Sequence, residues 1–165
     1  MSMLQFDLSP LIGGRPGERL SFFLDEGPRW LDDIQVAFLR GPINFTRVQG
    51  GILVQANLQV QAQVECVRCL EPFPFPFEME VEEVIGFAGK LRPGITYQLD
   101  EEGGFNPLPL LREQVWVSLP MKPICQPDCR GLCPECGANL NIEPCTCDRE
   151  EIDPRLAMLA RLKKH

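Results

Sequence analysis

An alternation of apolar and polar residues at positions 52–64, interrupted only by the apolar Leu53, constrains the fold of this 165-residue chain more than any other feature. Every even-numbered residue in the stretch is apolar, and glutamine or asparagine fills the odd-numbered positions 55–63. A period of two predicts a long β-strand with one buried and one solvated face. The preceding Gln49-Gly50-Gly51 offers the positive-φ residues of a hairpin turn, so we expect antiparallel pairing with the strand before it.

A second alternating run, at positions 73–81, predicts the returning arm of another hairpin. Phenylalanines alternate with Pro72, Pro74 and Pro76, and glutamates follow. Because proline cannot donate a ladder hydrogen bond, this arm is expected at a sheet edge.

Weaker patterns predict the remaining elements. Short strands are expected at 4–8 and 20–24, a strand interrupted by Gly41-Pro42 at 34–45, and at most a short strand at 95–99 in an otherwise irregular stretch. Asn106-Pro107 begins a predicted helix that ends before Pro120. Asp153-Pro154 begins a predicted terminal helix with Leu156, Leu159 and Ala160 on one face.

Together these elements predict a mainly β fold of the α+β kind. We expect an antiparallel β-meander or barrel-like sheet with one or two short helices and a C-terminal cysteine-rich, zinc-ribbon-like segment. Residues 1–120 would form the β domain with one helix. Residues 121–165 would form the zinc-binding segment and C-terminal helix, packed on the same domain.

The first eight residues lack the basic and apolar regions of a signal peptide, and no stretch approaches the roughly 18 apolar residues of a membrane span. We therefore expect a cytoplasmic protein with no membrane partner. In the cytoplasm thiols stay reduced, and cysteine frameworks there are more often metal-binding than disulfide-bonded.

The chain has eight cysteines in four pairs, which are predicted to be metal ligands for one or two zinc ions. The pairs are Cys66 and Cys69, Cys125 and Cys129, Cys133 and Cys136, and Cys145 and Cys147. The sequence Cys133-Pro134-Glu135-Cys136-Gly137 is typical of a zinc knuckle, a tight turn that directs two sulfurs at one metal. His165, the single histidine, is not an expected ligand.

Two groupings of these pairs remain open. Loop closure favours a local site of Cys133, Cys136, Cys145 and Cys147, which leaves Cys66 and Cys69 to join Cys125 and Cys129. The alternative places the four cysteines between 125 and 136 together and sends the last pair to the hairpin. Four thiolates leave no open position, so either arrangement predicts structural sites.

Two other thiol chemistries compete with zinc for these cysteines. Cys66 and Cys69 could serve a thiol redox protein, but the predicted all-β setting lacks the helix N-terminus that activates such thiols. An iron–sulfur cluster also accepts four thiolates. No catalytic residues, and no small-molecule substrate, are expected, because no nucleophile–base pair, phosphate loop or paired-carboxylate signature is present.

The net charge of −7 argues against bulk coating of nucleic acid, so RNA contact would need a local basic patch. The candidate residues are Arg68, Lys122, Arg130, Arg161, Lys163 and Lys164.

Three motifs in order resemble one known family. They are Cys66-Val67-Arg68-Cys69-Leu70-Glu71-Pro72-Phe73, then Leu119-Pro120-Met121-Lys122-Pro123-Ile124-Cys125, then the eleven residues from Gly131 to Asn141 that contain the knuckle. These residues resemble the YceD family, the bacterial and plastid large-ribosomal-RNA-subunit accumulation proteins.

The resemblance implies a non-enzymatic role in accumulation or processing of large-subunit (23S) ribosomal RNA. The implied partners are the ribosomal RNA precursor, a large-subunit ribosomal protein or an assembly factor. A zinc-ribbon interaction module unrelated to the ribosome is the alternative.

Overall fold

The computed structural model describes residues 4–89 and 93–147, and its fold is mainly β. This confirms the predicted fold class. Along the described ranges the elements are β1 (Phe6–Asp7), α1 (Ser9–Ile12), β2 (Arg19–Glu26), β3 (Arg29–Leu31), β4 (Ile34–Val48), β5 (Gly51–Glu65), β6 (Pro72–Ile85), β7 (Gly104–Phe105) and α2 (Leu108–Ser118). Neither described helix has the length and apolar character needed to cross a membrane.

The main sheet is antiparallel and open, with strand order β2-β4-β5-β6. β3 pairs with the first part of β4, and β2 pairs with the later part, so the two short strands share one edge of β4. β6 forms the opposite edge, as its three prolines predicted. The sheet is therefore a meander, and the barrel-like alternative is not formed because its two edges remain apart.

The alternating run forms the centre of this sheet. Val48 pairs with Gly51 across a two-residue turn in which Gly50 has a φ of 93°, as the glycines predicted. The even-numbered residues of β5 from Ile52 to Ala62 are buried, whereas its odd-numbered residues from Leu53 to Glu65 are half-buried or exposed. At the far end Glu65 pairs with Pro72, which leaves six residues to form the hairpin tip.

β4 continues through the predicted interruption at Gly41. This glycine has a φ of 153°, and a Cβ there would collide with the carbonyl oxygen of Asn57 on β5. A register shift between Val36 and Phe38 adds a local irregularity. The glycine therefore lets two strands approach closely without ending the strand that contains it.

Helix α2 begins and ends where the sequence predicted and leads the chain toward the hairpin tip. The side chain of Asn106 accepts a hydrogen bond from the Leu108 N–H at 3.0 Å. Arg112 donates to both carboxylate oxygens of Asp33 at 2.8 and 2.7 Å, and Trp116 donates to the same carboxylate at 3.2 Å. The Arg112 guanidinium lowers the pKa of Asp33 to about 2, so the Asp33 carboxylate stays ionised. The ion pair therefore links α2 to the residue just before β4.

Several short elements differ from their predictions. The predicted strand at 4–8 is reduced to β1, because α1 begins at Ser9, and β1 pairs with the unpredicted β7. The stretch at 95–99, where at most a short strand was expected, forms no strand and makes only an isolated bridge between Gly86 and Gln98. β3 was also not predicted.

The terminal helix predicted from Asp153 lies outside the described residues, as do Leu156, Leu159 and Ala160. The division at residue 120 stays a prediction.

Candidate metal centres

The eight cysteines converge in two groups of four. The tip centre consists of Cys66, Cys69, Cys125 and Cys129, and the ribbon centre consists of Cys133, Cys136, Cys145 and Cys147. Within each group the four sulfur atoms lie within 4.8 Å of one another. This is the grouping that loop closure favoured, and the alternative that joins the four cysteines between 125 and 136 is not formed.

The sulfur spacing fits a metal site and does not fit disulfides. The Sγ–Sγ distances are 3.9 Å for Cys66–Cys129, 3.7 Å for Cys69–Cys125, 3.6 Å for Cys136–Cys145 and 3.3 Å for Cys133–Cys145. A disulfide bond measures about 2.05 Å. A tetrahedron of sulfurs at about 2.3 Å from a zinc ion has edges of about 3.8 Å. Each group could therefore hold one metal ion.

The tip centre is built on the turn between β5 and β6. The Cys66 N–H donates to the Glu71 carbonyl at 3.0 Å, and the Leu70 N–H donates to the Cys66 carbonyl at 2.9 Å. The Val67 N–H donates to the Pro123 carbonyl at 3.0 Å, which brings the segment after α2 against the tip. Three of the four tip cysteines are buried, so the centre lies inside the fold.

The ribbon centre repeats the same turn within a short stretch of chain. The Cys133 N–H donates to the Ala138 carbonyl at 2.8 Å, and the Gly137 N–H donates to the Cys133 carbonyl at 2.9 Å. Gly137 has a φ of 74°, in the region that favours glycine. Cys133 is buried, but Cys136 is exposed, so this centre is more open to solvent.

In the tip centre, backbone groups and neighbouring thiols shift the pKa values in opposite directions. Burial opposes ionisation of Cys66, but hydrogen bonds from the backbone of Cys125 and Cys69 outweigh it and lower its pKa to about 6. Burial raises the pKa of Cys125 to about 12, and the other thiols add to the rise. One thiol thus ionises readily while another resists a second negative charge beside it.

The ribbon centre shows the same division. Backbone hydrogen bonds from Cys136 and Glu135 lower the pKa of Cys133 to about 6. Hydrogen bonds with the thiols of Cys145 and Cys136 raise the pKa of Cys147 to about 12. A divalent cation at either centre would offset the repulsion between thiolates that these opposed shifts reflect.

The two centres touch through Arg68 and the chain between them. The Arg68 carbonyl accepts a hydrogen bond from the Leu132 N–H at 3.1 Å, and its guanidinium donates to the Cys129 carbonyl at 2.9 Å. Gly131 has a φ of 74°, and a Cβ there would come within 2.9 Å of the Arg68 carbonyl oxygen. This close approach requires glycine.

The basic residues proposed for RNA contact lie in different settings. Arg68 holds the tip centre through the bond just described. Lys122 and Arg130 are exposed beside the tip centre. Arg161, Lys163 and Lys164 lie outside the described residues.

Sequence reasoning missed Asn141, whose side chain contacts both the sulfur of Cys129 and the backbone of Arg130. The residue lies at the end of the knuckle motif, but its spacing from the cysteines gives no sign of these contacts.

Comparisons with known proteins point to one family. The sequence model described as "Large ribosomal RNA subunit accumulation protein YceD" matches residues 54–163. The matched region begins in β5 and includes all eight cysteines.

Three relatives illustrate the similarity. An uncharacterized protein of Mycobacterium tuberculosis is 33% identical over 133 residues, covering 78% of this chain and 63% of the relative. An uncharacterized protein of Mycobacterium leprae is 29% identical over 170 residues, covering 96% of this chain and 77% of the relative. The chloroplastic "Large ribosomal RNA subunit accumulation protein YCED homolog 1" of Arabidopsis thaliana is 39% identical over 54 residues, covering 33% of this chain and 17% of the relative.

The chain thus spans just under two thirds of the length of the Mycobacterium tuberculosis relative. No solved structure matches significantly. Because the family model covers well over half of the chain and the matched residues contain both cysteine groups, this chain belongs to the YceD family, the large ribosomal RNA subunit accumulation proteins.

Proposed function

We propose that this chain is a non-enzymatic zinc-binding factor that supports the accumulation or processing of large-subunit (23S) ribosomal RNA in the cytoplasm. The observation that carries the zinc assignment is the convergence of two groups of four thiols, with sulfur spacing near that of a tetrahedral zinc–thiolate site. Family membership carries the ribosomal role.

Zinc accounts for the thiols better than redox chemistry does. A reactive redox cysteine is partly exposed, with a resolving partner beside it. Cys66 has the lowered pKa of such a thiol, but it is fully buried and two further thiols lie against the pair. Since all four ligand positions are filled by protein sulfurs, each zinc ion would stabilise structure and leave no site for a substrate.

The proposed partners are the ribosomal RNA precursor, a large-subunit ribosomal protein or an assembly factor. Direct RNA contact would involve the exposed Lys122 and Arg130 together with Arg161, Lys163 and Lys164. Arg68 is also exposed and would contribute, although its guanidinium donates a hydrogen bond to the Cys129 carbonyl. Such binding would weaken steeply with salt, because each phosphate contact releases counterions.

Depletion in the source cell tests the ribosomal role. We expect large-subunit ribosomal RNA to fall while small-subunit RNA holds steady, with recovery on expression of the wild-type chain. A variant with Cys69→Ser should fail to restore the RNA if the tip centre is needed. Unchanged large-subunit RNA after depletion would refute the proposed role.

Metal analysis of the purified protein tests the zinc assignment separately. We expect two zinc ions per chain and eight thiols that react only after denaturation or metal removal. Metal-free protein with freely reactive thiols would refute the assignment and favour the redox alternative.

A further inference from the structure

Asn141 belongs to the loop of the ribbon centre, yet its side chain reaches the tip centre. Its Nδ2 donates to the Sγ of Cys129 at 3.3 Å, and its Oδ1 accepts a hydrogen bond from the Arg130 N–H at 2.8 Å. The amide therefore holds one tip ligand by its sulfur and by the adjacent backbone.

The ribbon turn itself fixes the position of this amide. Asn139 Oδ1 accepts hydrogen bonds from the backbone N–H and from Nδ2 of Asn141, at 3.0 and 2.9 Å. The Leu140 N–H donates to the Gly131 carbonyl at 2.9 Å, and Leu132 forms a bridge with Asn139. These contacts belong to the loop that lies between the two pairs of ribbon cysteines. Closing the ribbon centre around a metal would hold that loop, and Asn141 with it, in place.

An N–H donor aimed at a ligand sulfur has a defined effect on a metal site. It orients the ligand and stabilises the negative charge that the sulfur carries as a thiolate. Cys129 is buried, so water cannot readily replace the bond.

We propose that Asn141 couples the two centres, so that metal loading of the ribbon centre prepares the tip centre by fixing Cys129. Asn141 is a positioning residue that binds no metal. Because such coupling is reciprocal, a loaded ribbon centre lets the tip centre fill at a lower zinc concentration than it would need alone. This inference rests on the proposed zinc binding.

A double-mutant cycle on the full chain tests the coupling. Metal-free, reduced protein is equilibrated with buffered zinc, and the protection of Cys66 and Cys69 from alkylation is followed by mass spectrometry. The four proteins are wild type, Asn141→Leu, the ribbon-broken variant Cys136→Ser/Cys145→Ser, and the combination of all three changes. This readout reports the tip centre even when both centres bind zinc.

We expect the zinc concentration that half-protects the tip cysteines to rise about tenfold in Asn141→Leu, in the range found when an outer contact of a metal ligand is removed. The ribbon-broken variant should show a similar rise. The combination should add little further, since both changes remove the same interaction. An unchanged midpoint in Asn141→Leu, or effects that multiply in the combination, would overturn the coupling.

Two further variants serve as a test of the donor to Cys129 and as a control. Asn141→Asp keeps the acceptor for the Arg130 N–H but replaces the donor to Cys129 with a carboxylate oxygen, so it should weaken the tip centre at least as much as Asn141→Leu. Asn141 is exposed, so neither Asn141→Leu nor Asn141→Asp disturbs core packing. Asn57→Leu on the outward face of β5 is the matched control and should leave the midpoint unchanged.

The outcomes also separate this inference from the zinc assignment. Wild-type protein that gains no protection with zinc would refute both. Protection of both centres without coupling would refute the role of Asn141 alone.

Discussion

The tip centre and the ribbon centre are built on the same knuckle turn, but they differ in burial and in the sequence separation of their cysteines. Pairs of sulfurs that meet in the tip centre lie 56 and 63 residues apart in sequence, whereas those in the ribbon centre lie 9 and 12 residues apart. The tip centre joins the far end of the central hairpin to the segment after α2, and it is mostly buried. The ribbon centre orders one exposed loop.

This difference indicates that identical ligand sets can contribute very differently to stability. A crosslink that closes a long loop removes more freedom from the unfolded chain than one that closes a short loop. The buried tip thiols would also be left as unpaired polar groups in the interior without a metal.

The largest effect is expected from loss of a tip ligand. Cys69→Ser should destabilise the zinc-loaded protein by about 4 kcal/mol or more and lower its Tm by about 10 °C, because loss of a metal ligand belongs to the most damaging class of substitutions. Calorimetry with parallel zinc analysis measures this. A Tm within 2 °C of wild type would show that the tip centre does not stabilise the fold.

The matched ribbon variant Cys136→Ser should have a smaller effect. We expect the Tm to fall by about 3–5 °C. Breaking the ribbon centre should weaken zinc binding at the tip centre about tenfold, which corresponds to about 1.4 kcal/mol. If Cys136→Ser matched or exceeded Cys69→Ser in the same scan, the contrast between the centres would be wrong.

Metal removal should distinguish the centres by rate. On addition of excess chelator with an alkylating reagent, the ribbon centre should release its zinc first, because Cys136 is exposed whereas Cys66 is fully buried. We expect labelling at Cys136 to precede labelling at Cys66 by about tenfold in rate, consistent with access controlling thiol reactivity. Simultaneous labelling at both cysteines would argue for one cooperative unit.

A smaller effect is expected at Arg68, whose side chain supports only the tip centre. Arg68→Ala removes the donor to the Cys129 carbonyl and should cost about 1 kcal/mol. Arg130→Ala makes the same change in charge at an exposed position and should cost less than about 0.5 kcal/mol. Urea unfolding of the zinc-loaded proteins gives both values, and equal costs would show that the carbonyl contact adds nothing.

Effects of similar or smaller size are expected at the residue that follows each knuckle. Leu70 and Gly137 occupy equivalent positions, with φ values of 60° and 74°. Since a side chain in this region costs about 1 kcal/mol, Gly137→Leu should destabilise the protein by about that amount, and Leu70→Gly should stabilise it by somewhat less. Destabilisation by Leu70→Gly would indicate that the partly exposed Leu70 side chain contributes packing at the tip.

Much of the architecture, and the candidate set of eight cysteines, could be predicted from local patterns. The period-two run of β5, the glycines before it and the prolines of β6 each depend on a few neighbouring residues, and each prediction was confirmed. The same holds for the start of α2 directly after Asn106-Pro107. Strands of two or three residues such as β1, β3 and β7 carry too short a pattern to be recognised, and their partners far along the chain decide whether they form.

The sequence by itself determined the central hairpin, the two knuckles and the eight candidate ligands, because these follow from backbone period and from spacings within single turns. Only the tertiary structure decided which thiols meet across 56 to 63 residues, and that Arg68 and Asn141 support Cys129. Such contacts depend on how segments that are distant in sequence pack together. A hydrogen bond requires its two atoms to lie about 3 Å apart, and the spacing of residues along the chain does not reveal which distant atoms come that close.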